Sequence, residues 1–244
     1  MRRENGQLRA GTSGWQYDHW KGVFYPQKLK KSKWFHHYAS RFDTVEVNNT
    51  FYNLPEATTF DRWCEQAPEG FRYALKFSRY GTHLKKLQDP QAGVDAFLGR
   101  AERLGALLGP ILVQLPPHWG VNAGRLASFL DAAPKRIRWA VEFRDPSWLC
   151  GKVFGTLRAH GAALCIHDML PDHPHEVTAD WVYLRFHGPG PWGNYSHQAL
   201  SAAAQRIKAH LAESRDVFAY FNNDAYGYAV HNAMDLRRYS MGTE

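Results

Sequence analysis

Eight short apolar runs recur along the chain, and nearly every one ends in a cluster of polar or aromatic residues. They read LRAGTSGW (8–15), TVEVNNTFY (44–52), FRYALKFSRY (71–80), PILVQLPPHW (110–119), IRWAVEFRDPSW (137–148), ALCIHD (163–168), VYLRFHG (182–188) and DVFAYFNND (216–224). Most gaps between them can hold a helix. Parallel strands need such crossovers, so the alternation predicts an α/β chain with a parallel sheet. Eight units in 244 residues match the span of a closed (β/α)8 barrel, about 250 residues. The expectation is a single TIM-barrel domain over 1–244. In that fold the catalytic face lies at the C-terminal ends of the strands, where the polar clusters fall.

Helices are predicted at about 32–41, 57–66, 92–107, 122–132, 150–160, 197–213 and 226–238. In segment 92–107, Val94, Phe97, Leu98, Ala101 and Leu104 recur at helical spacing, with Leu108 just beyond, as a core-facing stripe requires. Leu200, Ala203, Ile207 and Leu211 do the same in 197–213. Prolines fall at the junctions and none lies inside a predicted helix. Two places depart from the repeat. QYDHWKGVFYPQKLKKSK (16–33) makes a long aromatic and basic loop after strand 1, and DMLPDHPHEVTAD (168–180) predicts an irregular crossover from strand 6 to strand 7.

The formal net charge is +7, which steers anionic partners toward the chain without fixing its chemistry. The basic residues are scattered: KLKKSK (28–33), Lys85-Lys86, Lys135-Arg136 and Arg237-Arg238. That pattern suits solvated helix faces, and a nucleic-acid surface would need them gathered on one side. Apolar runs fall far short of the roughly 18 residues that cross a bilayer, so no membrane partner is expected. Cys64, Cys150 and Cys165 include no C-x-x-C pair. With no apolar leader at the start, this reads as a cytoplasmic protein with reduced thiols.

Side chains along a strand alternate between the barrel interior and the surrounding helices. By that parity Glu46 and Asn48 share a face, as do Glu142 and Arg144, and Arg185 and His187. Lys76 and Gln114 alternate with apolar neighbours. Five strands thus direct polar groups inward. Burying them costs several kcal/mol unless they are paired. They predict either an internal ion-pair network or a ligand site, and convergence from five strands favours the site. Glu46, Glu142 and Lys76 are the candidate catalytic groups, with the carboxylates as general acid or base. Trp15, Tyr17, Asn48, Tyr52, Gln114, Arg144, Arg185, His187, Asn222 and Asn223 are the candidate substrate-binding residues. Arginine offers a planar fork for phosphate or carboxylate and lysine a point charge. Aromatic residues of the first loop, with Tyr52, Trp119, Trp148 and Trp192, would stack on a sugar or base, or else simply pack the lid.

Glu46, Glu142, His167, Asp168, His187 and Asp224 are metal-ligand types, but no H-x-H or H-E-x-x-H motif links them. Lys76, Arg144 and Arg185 would already balance the carboxylates. No metal and no cofactor is expected. There is no nucleophile elbow and no phosphate-binding loop. The expected function is a metal-independent enzyme, a hydrolase or lyase, acting on a small anionic or polyhydroxylated ligand such as a phosphoester or a sugar derivative. The alternatives are a nucleic-acid-binding protein without catalysis, or a metal-dependent hydrolase.

GTSGWQYDHWKGVFYP, TVEVNNTFYNLP, FRYALKFSRYGTH, VQLPPHW, VEFRDPSW, VYLRFHGP and YFNNDAYGYAVHNA, in that order, resemble the successive signatures of the YecE-like family, domain of unknown function 72. The resemblance runs from about 8 to 238. It implies a TIM barrel in a cytoplasmic, mainly prokaryotic protein, without an established reaction. It also implies kinship with metal-dependent barrels such as apurinic endonucleases and xylose isomerases, from which the nucleic-acid and metal-hydrolase alternatives come. The histidine-rich ligand set of that group is not evident here.

Overall fold

The computed structural model describes residues 5–189 and 193–242. In chain order its elements are β1 (Leu8–Thr12), α1 (Trp34–Ala39), β2 (Thr44–Val47), α2 (Asn49–Tyr52), α3 (Ala57–Gln66) and β3 (Arg72–Lys76). They continue with α4 (Pro90–Ala101), β4 (Leu108–Gln114), α5 (Ala123–Ala132), β5 (Trp139–Glu142), α6 (Gly151–His160) and β6 (Ala163–His167). The last are β7 (Trp181–Phe186), α7 (His197–Ala212), β8 (Asp216–Phe221) and α8 (Tyr228–Met241). The strands run in the order β1-β8-β7-β6-β5-β4-β3-β2, that of a (β/α)8 TIM barrel.

The chain divides into two compact units, Met1–Glu46 with Trp181–Glu244, and Val47–Asp180. In the first, β1 pairs in parallel with β8 from Leu8 opposite Val217 to Thr12 opposite Phe221, and β7 pairs with the other edge of β8. A parallel bridge joins Ser13 to Glu46 at the end of β2. Tyr38 of α1 anchors these strands. Its hydroxyl accepts from the Thr12 amide at 3.0 Å and donates to the Thr44 carbonyl at 3.0 Å. Gly11 lies at the same crossing, where a Cβ would stand 2.5 Å from the Thr44 carbonyl oxygen. The aromatic loop after β1 folds inward. Trp20 and Tyr25 are buried, and Tyr25 stacks on Trp34 at 4.6 Å.

In the second unit β3, β4, β5 and β6 pair in parallel, with Gln114 opposite Glu142. Leu75, Leu112, Val113, Val141 and Leu164 fill its core. Local chemistry sets the helix ends. Pro90 opens α4, where its missing N–H costs nothing. Asn122 caps α5 by accepting the Arg125 amide at 3.0 Å. Gly161, at φ +64, closes α6 in the left-handed conformation that glycine adopts freely.

Helix 57–66 falls where the sequence predicts it, and 168–180 forms no helix or strand, as its prolines require. The predicted helix 92–107 divides at Ala101, and its second half tightens into a 3-10 segment. Two apolar runs extend past the strands they contain. TVEVNNTFY stops being strand at Val47 and turns helical at Asn49–Tyr52. FRYALKFSRY stops at Lys76, and Tyr80–Leu84 forms a π-turn closed by the Lys85 amide on the Tyr80 carbonyl at 2.8 Å. No helix among the described residues is long and apolar enough to cross a membrane.

Candidate functional site

In the first unit the strand ends build a network around Glu46, whose side chain is fully buried. Arg185 Nη2 donates to Glu46 Oε1 at 2.8 Å, and the Ser13 hydroxyl donates to the same oxygen at 2.7 Å. The Tyr183 hydroxyl donates to Oε2 at 2.7 Å. Parity within β7 explains this pair, since Tyr183 and Arg185 lie two residues apart on one face. Burial first, then the Glu46 charge, pushes the Tyr183 phenol far above its usual range, so it remains a donor. Tyr17 adds a second layer, donating to the Ser13 carbonyl at 2.6 Å. Its phenol is also raised, mainly by burial and then by Asp224 and Glu46.

The neighbouring candidates divide by surroundings. Trp15 is buried edge-on against Phe35. Asn222 is half-buried, its backbone N–H donating to the Phe186 carbonyl at 2.8 Å, and His187 is half-buried one residue past β7. Asn223 has 1% exposure and ties the chain together: its amide nitrogen donates to the Gly193 carbonyl at 3.0 Å and to Asn232 Oδ1 at 2.9 Å. Asp224 is held above the usual carboxylate range by burial. Trp192 lies outside the described residues.

In the second unit Glu142, also fully buried, accepts from Arg144 Nε at Oε1 and from the Cys165 thiol at Oε2, 3.7 Å away. Arg144 reaches on to the Met169 sulfur. His167 donates Nε2–H to the Phe143 carbonyl at 2.8 Å and accepts the Met169 amide at Nδ1, 3.2 Å away. This bonding fixes its neutral tautomer. Burial outweighs the Glu142 charge and pushes the His167 pKa down to about 4. His173 packs on it at 4.5 Å. Lys76, 7% exposed, sets its ammonium 4.1 Å from the centre of the Phe51 ring, a cation–π contact in a desolvated place. Asn48, half-buried, precedes α2, and Tyr52 projects from it with 75% of its surface exposed. Gln114 is half-buried at the end of β4.

The strand-parity argument missed His83, which sits in the π-turn after β3. Its ring meets Phe51 edge-on at 5.0 Å, opposite in kind to the Lys76 contact on the same ring. Burial, followed by the positive charges of Lys76, Arg79 and Arg144, pushes its pKa down to about 4. Arg79 is exposed and forms no ion pair among the described residues. His83 thus stands in the field of three cations, Lys76, Arg79 and Arg144. The aromatic residues expected to stack on a ligand are mostly interior: Trp148 lies flat against Phe143 at 5.0 Å and meets Trp119 edge-on. The described residues contain no group of three or more His, Cys, Asp or Glu arranged to hold a metal ion.

Parallel β/α units with ion-paired carboxylates at the strand ends place the protein among TIM barrels with polar strand-end clusters. The chain belongs to the family described as protein of unknown function DUF72, whose model matches residues 9–243. UPF0759 protein YecE of Escherichia coli strain K12 is 35% identical over 112 residues, which are 46% of this chain and 41% of YecE. The chain therefore matches about two fifths of the length of that relative. UPF0759 protein YunF of Bacillus subtilis strain 168 is 23% identical over 94% of this chain and 93% of its own. A DUF72 family protein from Thermotoga maritima MSB8 shares the fold with a TM-score of 0.86 at 28% identity, covering 95% of this chain and 98% of that one. Likeness to a chitinase domain from Pyrococcus furiosus, at 10% identity and a TM-score of 0.56, is one of fold alone.

Proposed function

We propose that the protein is an enzyme that binds a small anionic substrate, a phosphoester or a sugar-derived acid, at the C-terminal ends of β3 to β5. The observation that carries this reading is the set of three cations, Lys76, Arg79 and Arg144, whose charges all act on His83. Positive charge concentrated at the end of barrel strands favours a ligand that brings negative charge with it. Arg144 supplies a fork already oriented by Glu142, Lys76 a compact charge, and Arg79 an exposed one. Of the candidate catalytic groups, Lys76 is the side chain assigned to acid–base chemistry in this reading, and Glu142 orients Arg144. The Glu46 network serves instead as internal scaffolding. Both its carboxylate oxygens already accept hydrogen bonds, and neither Glu46 nor Arg185 is appreciably exposed. No metal or cofactor enters this reading, and the location it implies is the cytoplasm.

Calorimetric titration with inorganic phosphate tests the proposal. Millimolar phosphate should bind, and Arg79→Ala should weaken binding several-fold with no change in melting temperature, because Arg79 supports no ion pair in the fold. Affinity should fall as salt rises. Absence of any binding heat up to tens of millimolar phosphate, the scale of weak anion sites, would refute it.

A further inference from the structure

We infer that His83 is the proton acceptor of this site, presenting the lone pair of Nε2 to a hydroxyl or water beside a bound anion. The inference rests on the anion reading above and adds the residue that would move the proton.

Hydrogen-bond accounting fixes the ring. The Thr82 hydroxyl donates to the Ser78 carbonyl at 2.9 Å, and a carbonyl can only accept. The single hydroxyl proton of Thr82 is therefore committed. Thr82 Oγ1 lies 2.9 Å from His83 Nδ1, so the proton between them must come from the ring. His83 is held with hydrogen on Nδ1, leaving on Nε2 a lone pair to which none of the described residues donates. Thr82 is fully buried while His83 is half-buried, so one ring edge is anchored and the other is available. This is the orienting logic of catalytic histidines, in which the bond at one nitrogen sets the role of the other.

The surroundings make this base conditional. Lys76, Arg79 and Arg144 oppose a proton on His83, and Phe51 presents only an apolar edge contact. Without ligand the ring stays neutral down to about pH 4. A bound anion would offset those cations and raise the affinity of Nε2 for a proton where a reaction requires it. In a hydrolytic step the O–H bond of water breaks and an Nε2–H bond forms. The electron pair left on oxygen makes the new bond to the electrophilic centre. The leaving oxygen departs with its bonding pair and takes the proton from the imidazolium, which returns to its starting form.

The test is long-range proton–nitrogen NMR of the histidine rings in the full chain, with His83→Gln supplying the assignment and inorganic phosphate as the probe. At pH 7 without phosphate, His83 should show a protonated Nδ1 and an unprotonated Nε2. Thr82→Val should shift the ring toward the opposite tautomer. Saturating phosphate should raise the His83 pKa by about one unit or more, a tenfold gain in proton affinity. An Nε2–H tautomer in the wild type would overturn the inference, as would phosphate that binds with His83 unmoved. Failure of phosphate to bind at all removes the anion reading itself and this inference with it, a result distinct from the other two.

Discussion

Arg185 Nη2 stands 2.8 Å from Glu46 Oε1, and the two side chains are 2% and 0% exposed. An ion pair so far from water is held by its geometry and by the Ser13 and Tyr183 hydroxyls that complete the carboxylate shell. Removing one partner of such a pair leaves a buried charge without compensation.

Arg185→Ala should therefore destabilise the protein by roughly 3–5 kcal/mol, measured by urea unfolding. A loss below about 1 kcal/mol, the scale of an exposed pair, would contradict the structural role. Joint replacement of Glu46 and Arg185 by apolar residues of similar size should cost less than Arg185→Ala alone.

Tyr183→Phe keeps the ring packing and deletes one hydrogen bond to the carboxylate. A loss of about 1.5–3 kcal/mol is expected, the usual worth of a hydrogen bond to a charged group. Tyr38→Phe removes a hydroxyl that serves both the Thr12 amide and the Thr44 carbonyl. It should cost about 1–3 kcal/mol for leaving buried backbone groups unsatisfied. Denaturation midpoints at unchanged slope would check both.

His167 predicts how stability depends on pH. Its folded pKa of about 4 lies below the ordinary 6.5 because the buried ring is held neutral. Between pH 6.5 and 4 the unfolded chain binds the proton and the folded chain does not. Stability should fall as pH drops through that window and level off below it, with His167 contributing up to roughly 3 kcal/mol. Replacing His167 with Asn should reduce the slope and leave the part that His83 contributes over the same window. An unchanged slope would show that the proton is taken up elsewhere.

Much of the barrel was legible because each strand core is short, apolar and bounded by prolines or polar residues. Val141 beside Glu142 and Leu75 beside Lys76 alternate as the parity argument requires. That argument holds only while the backbone stays extended. Asn48 and Arg144 lie just past their strands, and Asn48 has turned into helical geometry. Tyr80 closes an apolar run in the sequence but opens a π-turn in the structure. His83 was invisible for the same reason: its place depends on a turn whose hydrogen bonds skip one residue more than a helix does, a property no apolar pattern announces. The burial of Trp20 and Tyr25 was equally hidden, since an aromatic loop has one composition whether it faces a ligand or the core.

A π-turn holds one residue more than the α-turn it replaces. Removing a single codon between Ser78 and Lys85 would let an ordinary helical turn form, swinging every later side chain by about 100° around the axis. A loss before Thr82 would break the bond of its hydroxyl to the Ser78 carbonyl and turn His83 away from Phe51, while β3 before it and α4 after it remain as they are. The most local of genetic events, a three-nucleotide deletion, would then retire the histidine and spare the barrel, and the reverse insertion could install it. Within this family, chain length between β3 and α4 becomes a readable trait that separates members able to carry this device from members that are not.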